Sequence, residues 1–318
     1  MPAPEGDRTD PPVWSGSGMI VIDKPRGPSS HQVTAWVGTM LGCHVGHSGT
    51  LDPRVSGVLL VMLGNAVRLA PHLLRHDKEY VCLMRLHGDV EKERLEEIVG
   101  EFTGKIYQRP PRKSAVKRSL RIRSIHNIGI LSHEGRLVLF RVHCDAGTYI
   151  RSLCHHMGLA LGVGAHMQEL RRIRSGPFDE TRAWTLSALG DACVRAAMGD
   201  AAELLSMIVS VDAAVQDIPN VIIHDRAIDA VCHGAKLAGV GVISADPFKK
   251  DDSVALVSRR REFVGLGRAL VSSSAFSPGK PGFVVAPVAV FLKPGTYPKG
   301  WVKKTEKREE KSRPVQKG

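Results

Sequence analysis

Asp52 stands in a stretch unlike the rest of the chain. It lies within Gly46-His47-Ser48-Gly49-Thr50-Leu51-Asp52-Pro53-Arg54-Val55-Ser56-Gly57-Val58-Leu59-Leu60, surrounded by three glycines, a proline and small hydroxyl residues. Glycine admits backbone conformations that other residues resist, and a residue before proline is pushed toward extended geometry. An apolar run over 58–63 follows at once. The pattern predicts a tight loop presenting one aspartate at the lip of a buried strand. Taken alone, an Asp-Pro step is ordinarily just a turn. A carboxylate offered in this way is also the kind of group that acts as nucleophile or proton acceptor.

The elements that must hold this loop can be read from hydrophobic period. Residues 18–23 predict a buried strand, stopped by Lys24-Pro25-Arg26-Gly27-Pro28. Ser29 or Ser30 then caps a helix whose Val33, Trp36, Val37, Met40 and Leu41 follow helical spacing to Gly42. Further strands are expected over 58–63, 78–86, 120–130, 136–143 and 167–173. Helices are expected over 66–74, 90–99 and 149–161, and after Thr185. Beyond 212–219 the character changes to short β-type runs broken by Gly, Ser, Pro and Asp, with helical spacing only at 225–233. The predicted fold class is α+β: a mixed-sheet domain over 19–212, then a small β-barrel over 218–295. Residues 1–18 and 296–318 read as a flexible N-terminal tail and a basic, solvated C-terminal tail.

Composition narrows the partners. A net charge of +12 and a pI near 9.6 suit a polyanion, and nucleic acid fits better than membrane because no basic amphipathic anchor is present. No apolar run reaches the roughly 20 residues that span a bilayer, and residues 1–18 lack an apolar signal core. Lys105, Arg109, Arg112, Lys113, Lys117, Arg118, Arg121 and Arg123 fall between Phe102 and Ile125 with no acid among them, which predicts phosphate contact. Aromatic content of 5% argues against an extended base-stacking platform. The six cysteines form no CxxC pair and predict a reduced, cytoplasmic protein. Cys154-His155-His156 does not make a metal site, since adjacent helical residues point apart, and no metal or other cofactor is expected.

His47-Ser48-Gly49-Thr50-Leu51-Asp52-Pro53, followed by Ser56-Gly57-Val58-Leu59, closely resembles the catalytic loop of the TruB-type pseudouridine synthases. Five more segments match that family in order. They are the opening at 21–30, Asp77-Lys78-Glu79-Tyr80, Arg112-Lys113-Ser114-Ala115-Val116-Lys117, Ala146-Gly147-Thr148-Tyr149-Ile150-Arg151-Ser152-Leu153, and 170–178. Residues 221–225, 233–240 and 265–269 resemble a PUA domain, an RNA-binding β-barrel. The combination is similar to the archaeal, dyskerin-like branch, the catalytic subunits of H/ACA guide ribonucleoproteins.

The resemblance implies isomerisation of uridine in rRNA or tRNA. It makes Asp52 the nucleophile, Arg151 its cation, Tyr80 the ring that stacks on the flipped uracil and Tyr149 a hydrogen-bonding partner. Lys24, His47 and Leu170 would line or brace the pocket; Lys113, Lys117, Arg118, Gly234 and Lys236 would contact RNA. The chemistry agrees: uracil is a tolerable leaving group, so one carboxylate can attack C1′ or act as base at C2′. A glycoside hydrolase would ordinarily need two. A buried carboxylate stays charged only beside a cation, which is the place given to Arg151. The implied partners are guide RNA, substrate RNA and three small H/ACA proteins: one bracing, one glycine-arginine-rich in type, one binding kink-turns. A stand-alone tRNA pseudouridine-55 synthase and a non-catalytic RNA-binding scaffold are the alternatives.

Overall fold

The computed structural model describes residues 13–109 and 119–299, and Cα proximity divides the chain between Val211 and Asp212. Lys113, Lys117 and Arg118, with residues 1–12 and 300–318 of the expected tails, lie outside the described residues.

In the first unit the opening apolar run forms β1 (Gly18–Lys24). Helix α1 (Ser30–Leu41) follows with a full capping box: Gln32 N donates to Ser29 Oγ at 3.1 Å, and Ser29 N to Gln32 Oε1 at 2.9 Å. Gly42 ends it in the left-handed region. Next come β2 (Val45–His47), β3 (Ser56–Leu63), the short α2 (Ala70–Leu73), β4 (Lys78–Leu86) and α3 (Lys92–Glu101). Strands β5 (Gly104–Gln108), β6 (Arg121–Glu134) and β7 (Leu137–Cys144) precede α4 (Ile150–Ala160), β8 (Ala165–Ser175) and β9 (Phe178–Asp179). Helices α5 (Leu186–Ala197), capped by Thr185 Oγ1, and α6 (Ala202–Met207) complete the unit.

The nine strands make one mixed sheet in the order β1-β3-β8-β4-β7-β6-β5, with β2 on β3 and β9 on β8. Only the β3–β8 junction is parallel, and it joins just Ser56 to Arg171 and Gly57 to Arg172. Strand β3 is apolar throughout because both of its faces are covered. Two core clusters result. One gathers β1, β3, α1, α5 and α6; the other gathers β4, β6, β7, α3 and α4. Helix α4 buries Ile150, Leu153, Cys154, Met157 and Gly158, one helical stripe, and Gly158 lies so close to Ala165 that a Cβ would meet its nitrogen at 2.1 Å.

The second unit holds β10 (Asn220–Ile223), α7 (Asp225–Cys232), β11 (Leu237–Ala238), β12 (Val242–Ala245), β13 (Ser253–Val257), β14 (Phe263–Ala269) and β15 (Phe283–Val290). Its six strands, ordered β11-β15-β14-β13-β10-β12, curl into a nearly closed, barrel-like sheet around one apolar core.

The chain is packed further toward its ends than the tail reading expects. Val13 and Trp14 lie against the first core, and Trp14 N donates to Leu41 O at 3.1 Å. Tyr297 packs on the second core and its hydroxyl donates to Glu262. Among the described residues no helix is long and apolar enough to cross a membrane, and all six cysteines are free.

Gly57 sits at φ +101°, where a Cβ would meet Arg172 O at 2.2 Å across the β3–β8 junction. Gly57→Ala is therefore expected to destabilise the chain by about 2 kcal/mol or more, read as a lower denaturant midpoint in equilibrium unfolding. An unchanged midpoint would mean that the junction yields easily.

Candidate active site

The loop between β2 and β3 is fixed through its backbone, which leaves the Asp52 side chain free to project. Ser48 N donates to Leu60 O at 3.1 Å, and Val55 N closes a turn onto Asp52 O at 2.9 Å. Ser30, buried at the start of α1, brackets Leu51: its Oγ accepts from Leu51 N at 2.7 Å and donates to Leu51 O at 2.9 Å.

Two buried cations hold the loop from beneath. Lys24 Nζ donates to Val55 O at 2.7 Å, Pro25 O at 2.8 Å and Pro53 O at 3.4 Å. Arg172 Nε donates to Val58 O at 2.8 Å and its Nη2 to Gly49 O at 3.2 Å. Burial lowers the pKa of each; for Lys24 the neighbouring Arg172 adds to the fall and Asp52 opposes it. A buried charge needs its hydrogen bonds filled, and carbonyl groups of the loop fill them here.

Arg151 Nη2 donates to Asp52 Oδ2 at 2.5 Å, joining residues 99 apart in sequence. The loop presents this carboxylate as the sequence pattern predicts, but it is more open than the buried, cation-held carboxylate of that expectation. The Asp52 and Arg151 side chains are 57% and 52% exposed. An ion pair this open adds little stability, so its value is in orientation. Asp52 Oδ1 carries no hydrogen bond from the described residues.

Tyr80, on β4, pairs in register with Arg172 of β8. Burial pushes its phenol above the ordinary value, and that guanidinium draws the pKa down against the effect of burial. Tyr149 sits at the N-cap position of α4, two residues before Arg151. Gln108 clamps its backbone from β5: Tyr149 N donates to Gln108 Oε1 at 2.9 Å, and Gln108 Nε2 to Tyr149 O at 3.1 Å. Leu170 is half-buried on β8 against the core beneath α4, two residues before Arg172. His47 ends β2 and meets the His31 ring edge-on at 5.0 Å; burial first, then His31 and Arg172, push its pKa down.

The structure thus brings Lys24, His47, Asp52, Tyr80 and Arg151 to one loop, directly or through Arg172, and Tyr149 and Leu170 stand beside those contacts in sequence. Gly234 and Lys236 belong to the second unit. Gly234 turns the chain after α7 at φ +86°, and Lys236 Nζ lies 5.7 Å from the Phe283 ring centroid. Lys236 also lines a groove there with His224, Arg226 and Arg259.

Sequence reasoning missed Ser30, Lys78, Gln108 and Arg172. A signal existed for Arg172: on a strand, residues 170 and 172 face one way and 171 and 173 the other, so it falls at an inward position. Arg171, by contrast, pairs outward with Asp23 and Glu180.

Comparison with known proteins agrees over residues 39–291. Residues 39–150 match the TruB family pseudouridylate synthase N-terminal domain, 151–216 the tRNA pseudouridylate synthase B C-terminal domain and 219–291 the PUA domain. A probable tRNA pseudouridine synthase B of Methanosarcina barkeri is 47% identical over 90% of this chain and 86% of its own length. Its counterpart in Methanothermobacter thermautotrophicus is 48% identical over 89% of each. Among solved structures, a chain of a Cbf5-Nop10-Gar1 complex superposes with a TM-score of 0.84 at 48% identity, covering 89% of this chain and 87% of that one. A chain of an H/ACA RNP bound to a substrate RNA containing 2′-deoxyuridine gives 0.82 at 45%, covering 89% and 88%.

Lys78, buried at the start of Tyr80's strand, donates to His76 O at 2.5 Å and has its pKa lowered by burial to about 8 from 10.5. Between those two values the unfolded chain binds more protons than the folded one, so this residue makes stability rise with pH from 8 to 10.5. In denaturant titrations across that window, Lys78→Met should show a smaller rise than the unsubstituted chain; equal slopes would refute the assignment.

Proposed function

The chain belongs to the TruB family of pseudouridylate synthases, and from that membership we propose that it isomerises uridine in RNA as the catalytic subunit of an H/ACA guide ribonucleoprotein. The observation that carries the assignment of the centre is the Arg151–Asp52 contact, which unites two separate family motifs on one exposed loop.

The reaction breaks the N1–C1′ bond, turns the uracil and joins C5 to C1′; C5 gives up its proton and N1 gains one, so the product is an isomer of the substrate. Asp52 Oδ1, turned away from Arg151, is the oxygen we assign to attack C1′ or to take the C2′ proton. Arg151 fixes the carboxylate in one orientation through Oδ2. Tyr80, beside Arg172 across β4 and β8, stacks on the extruded base, and Tyr149 hydrogen-bonds near the base. Lys24 keeps the loop in shape from below, and His47 and Leu170 flank the pocket. Lys113, Lys117 and Arg118 would hold RNA phosphates, with Gly234 and Lys236 contacting RNA from the PUA domain.

We divide the chain into a synthase domain over 19–212 and a PUA domain over 218–295, a division supported by the parting of contacts near Val211 and by the span of the PUA match. The similar chains in solved structures occur with Nop10, with Gar1 and with substrate RNA, which supports guide RNA, a bracing protein and a glycine-arginine-rich-type protein as partners. A kink-turn binder completes the proposed particle. Six free thiols fit a reducing, cytoplasmic setting.

Asp52→Asn and Asp52→Ala should lower pseudouridine formation on the order of 10⁴-fold with RNA binding retained, scored by carbodiimide labelling of the mass-neutral product. Near-normal activity would remove Asp52 from its role.

The tRNA synthase name of the curated relatives favours a second reading, a stand-alone enzyme acting on tRNA. On a single-uridine substrate paired to a guide, turnover should require the guide RNA and accessory proteins. Full activity of the isolated chain on tRNA alone would favour the second reading instead.

A further inference from the structure

Away from the Asp52 loop, two strand residues and the residue that precedes a third strand turn their donor atoms toward one point. His126 Nε2 and His143 Nε2 lie 3.4 and 3.6 Å from the same oxygen, Asp77 Oδ2, and all three atoms fall within 4.8 Å of one another. The two imidazole rings stand 4.8 Å apart between centroids. We propose that Asp77, His126 and His143 form a binding site for a divalent transition-metal ion of the zinc class, distinct from the catalytic centre.

Backbone irregularity builds the site. Along β6 and β7, Ile125 pairs with Cys144 and Asn127 with His143, so His126 is the extra residue of a β-bulge. In a regular strand, 126 and 127 would face opposite ways. Here both are exposed between buried Ile125 and Ile128. The bulge therefore swings His126 onto the face that bears His143. Asp77, immediately before β4, meets them because β4 lies beside β7 with Glu79 opposite His143.

The spacing suits coordination. Zinc bonds of 2.0–2.2 Å to nitrogen and oxygen place tetrahedral ligand atoms about 3.3–3.6 Å apart, and the two histidine-to-aspartate separations fall there. A second carboxylate waits alongside. Asp145 Oδ1 is 3.0 Å from His126 Nε2, while its Oδ2 is anchored by Ser124 N at 2.7 Å. That anchored group can complete the shell directly or accept a hydrogen bond from a metal-bound water. Arg141 on β7 and Arg174 on β8 are both held by Glu79. Two imidazoles and a carboxylate with an open position favour zinc, cobalt or nickel over magnesium or calcium.

An ion here would tie β4, β6 and β7 together at one end. Asp77 stands three residues before Tyr80 and Asp145 four before Tyr149, so the clip would stiffen the strands that lead into the catalytic loop region.

Calorimetric titration of the metal-free, full-length protein with Zn²⁺ tests this. One equivalent per chain should bind, with proton release as the imidazoles are metallated, and Co²⁺ should give the visible absorption of a four-coordinate ion. His126→Gln, His143→Gln and Asp77→Asn should each weaken binding at least tenfold, and Zn²⁺ should raise the unfolding temperature of the unsubstituted chain but not of these variants. Asp52→Ala should bind Zn²⁺ normally, separating this site from the catalytic assignment. The absence of saturable binding, or one-equivalent binding that survives both histidine substitutions, would overturn the proposal and leave the cluster a hydrogen-bonded surface network.

Discussion

A guanidinium stripped of water organises the first unit. Arg172 is 1% exposed, donates to Val58 O and Gly49 O, and lies in register with Tyr80, so it touches strand β3, the Asp52 loop and strand β4. The two carbonyls satisfy a charge that would otherwise be costly to keep from water. Arg172 thus makes the strand order and the loop conformation one problem with one solution. Lys24 repeats the device from the other side, spending its ammonium on carbonyls that flank Asp52.

With the loop backbone fixed from below, the groups above it are left open to solvent. The Asp52–Arg151 pair contributes little to folding, since screening and side-chain entropy offset an exposed ion pair. Burial and exposure are divided between different charges: the buried ones shape the loop, and the exposed pair is the one proposed to meet the substrate. The Gln108 clamp extends the same division, securing the Tyr149 backbone while the helix start carries Arg151.

Much of this was legible in the sequence, for reasons that differ by residue. Uninterrupted apolar runs such as 58–63 announce covered strands, and the Ser29, Gly42 and Thr185 caps mark helix ends by local chemistry. Strands β2 and β5 and helix α6 were not visible, being too short or too polar to show a period. Asp52 drew notice by its glycine-rich setting. Arg172 and Lys78 did not, because in a chain of net charge +12 an arginine or lysine reads as RNA-facing. Their burial depends on tertiary partners far away in sequence. The contact of Asp52 with Arg151 was likewise beyond local pattern, since the two stand 99 residues apart. His126 belongs to the same class: a bulge shows only when the partner strand is laid beside it.

The β3–β8 junction has a mechanical meaning. It is a seam of two residue pairs, and each side of it has its own core. Asp52 rides on one side; Tyr80, Arg151 and Leu170 ride on the other. The acid and its guanidinium are therefore held like the two jaws of a vise across Gly57 and Arg172. Their relative placement depends on a join of only two residue pairs.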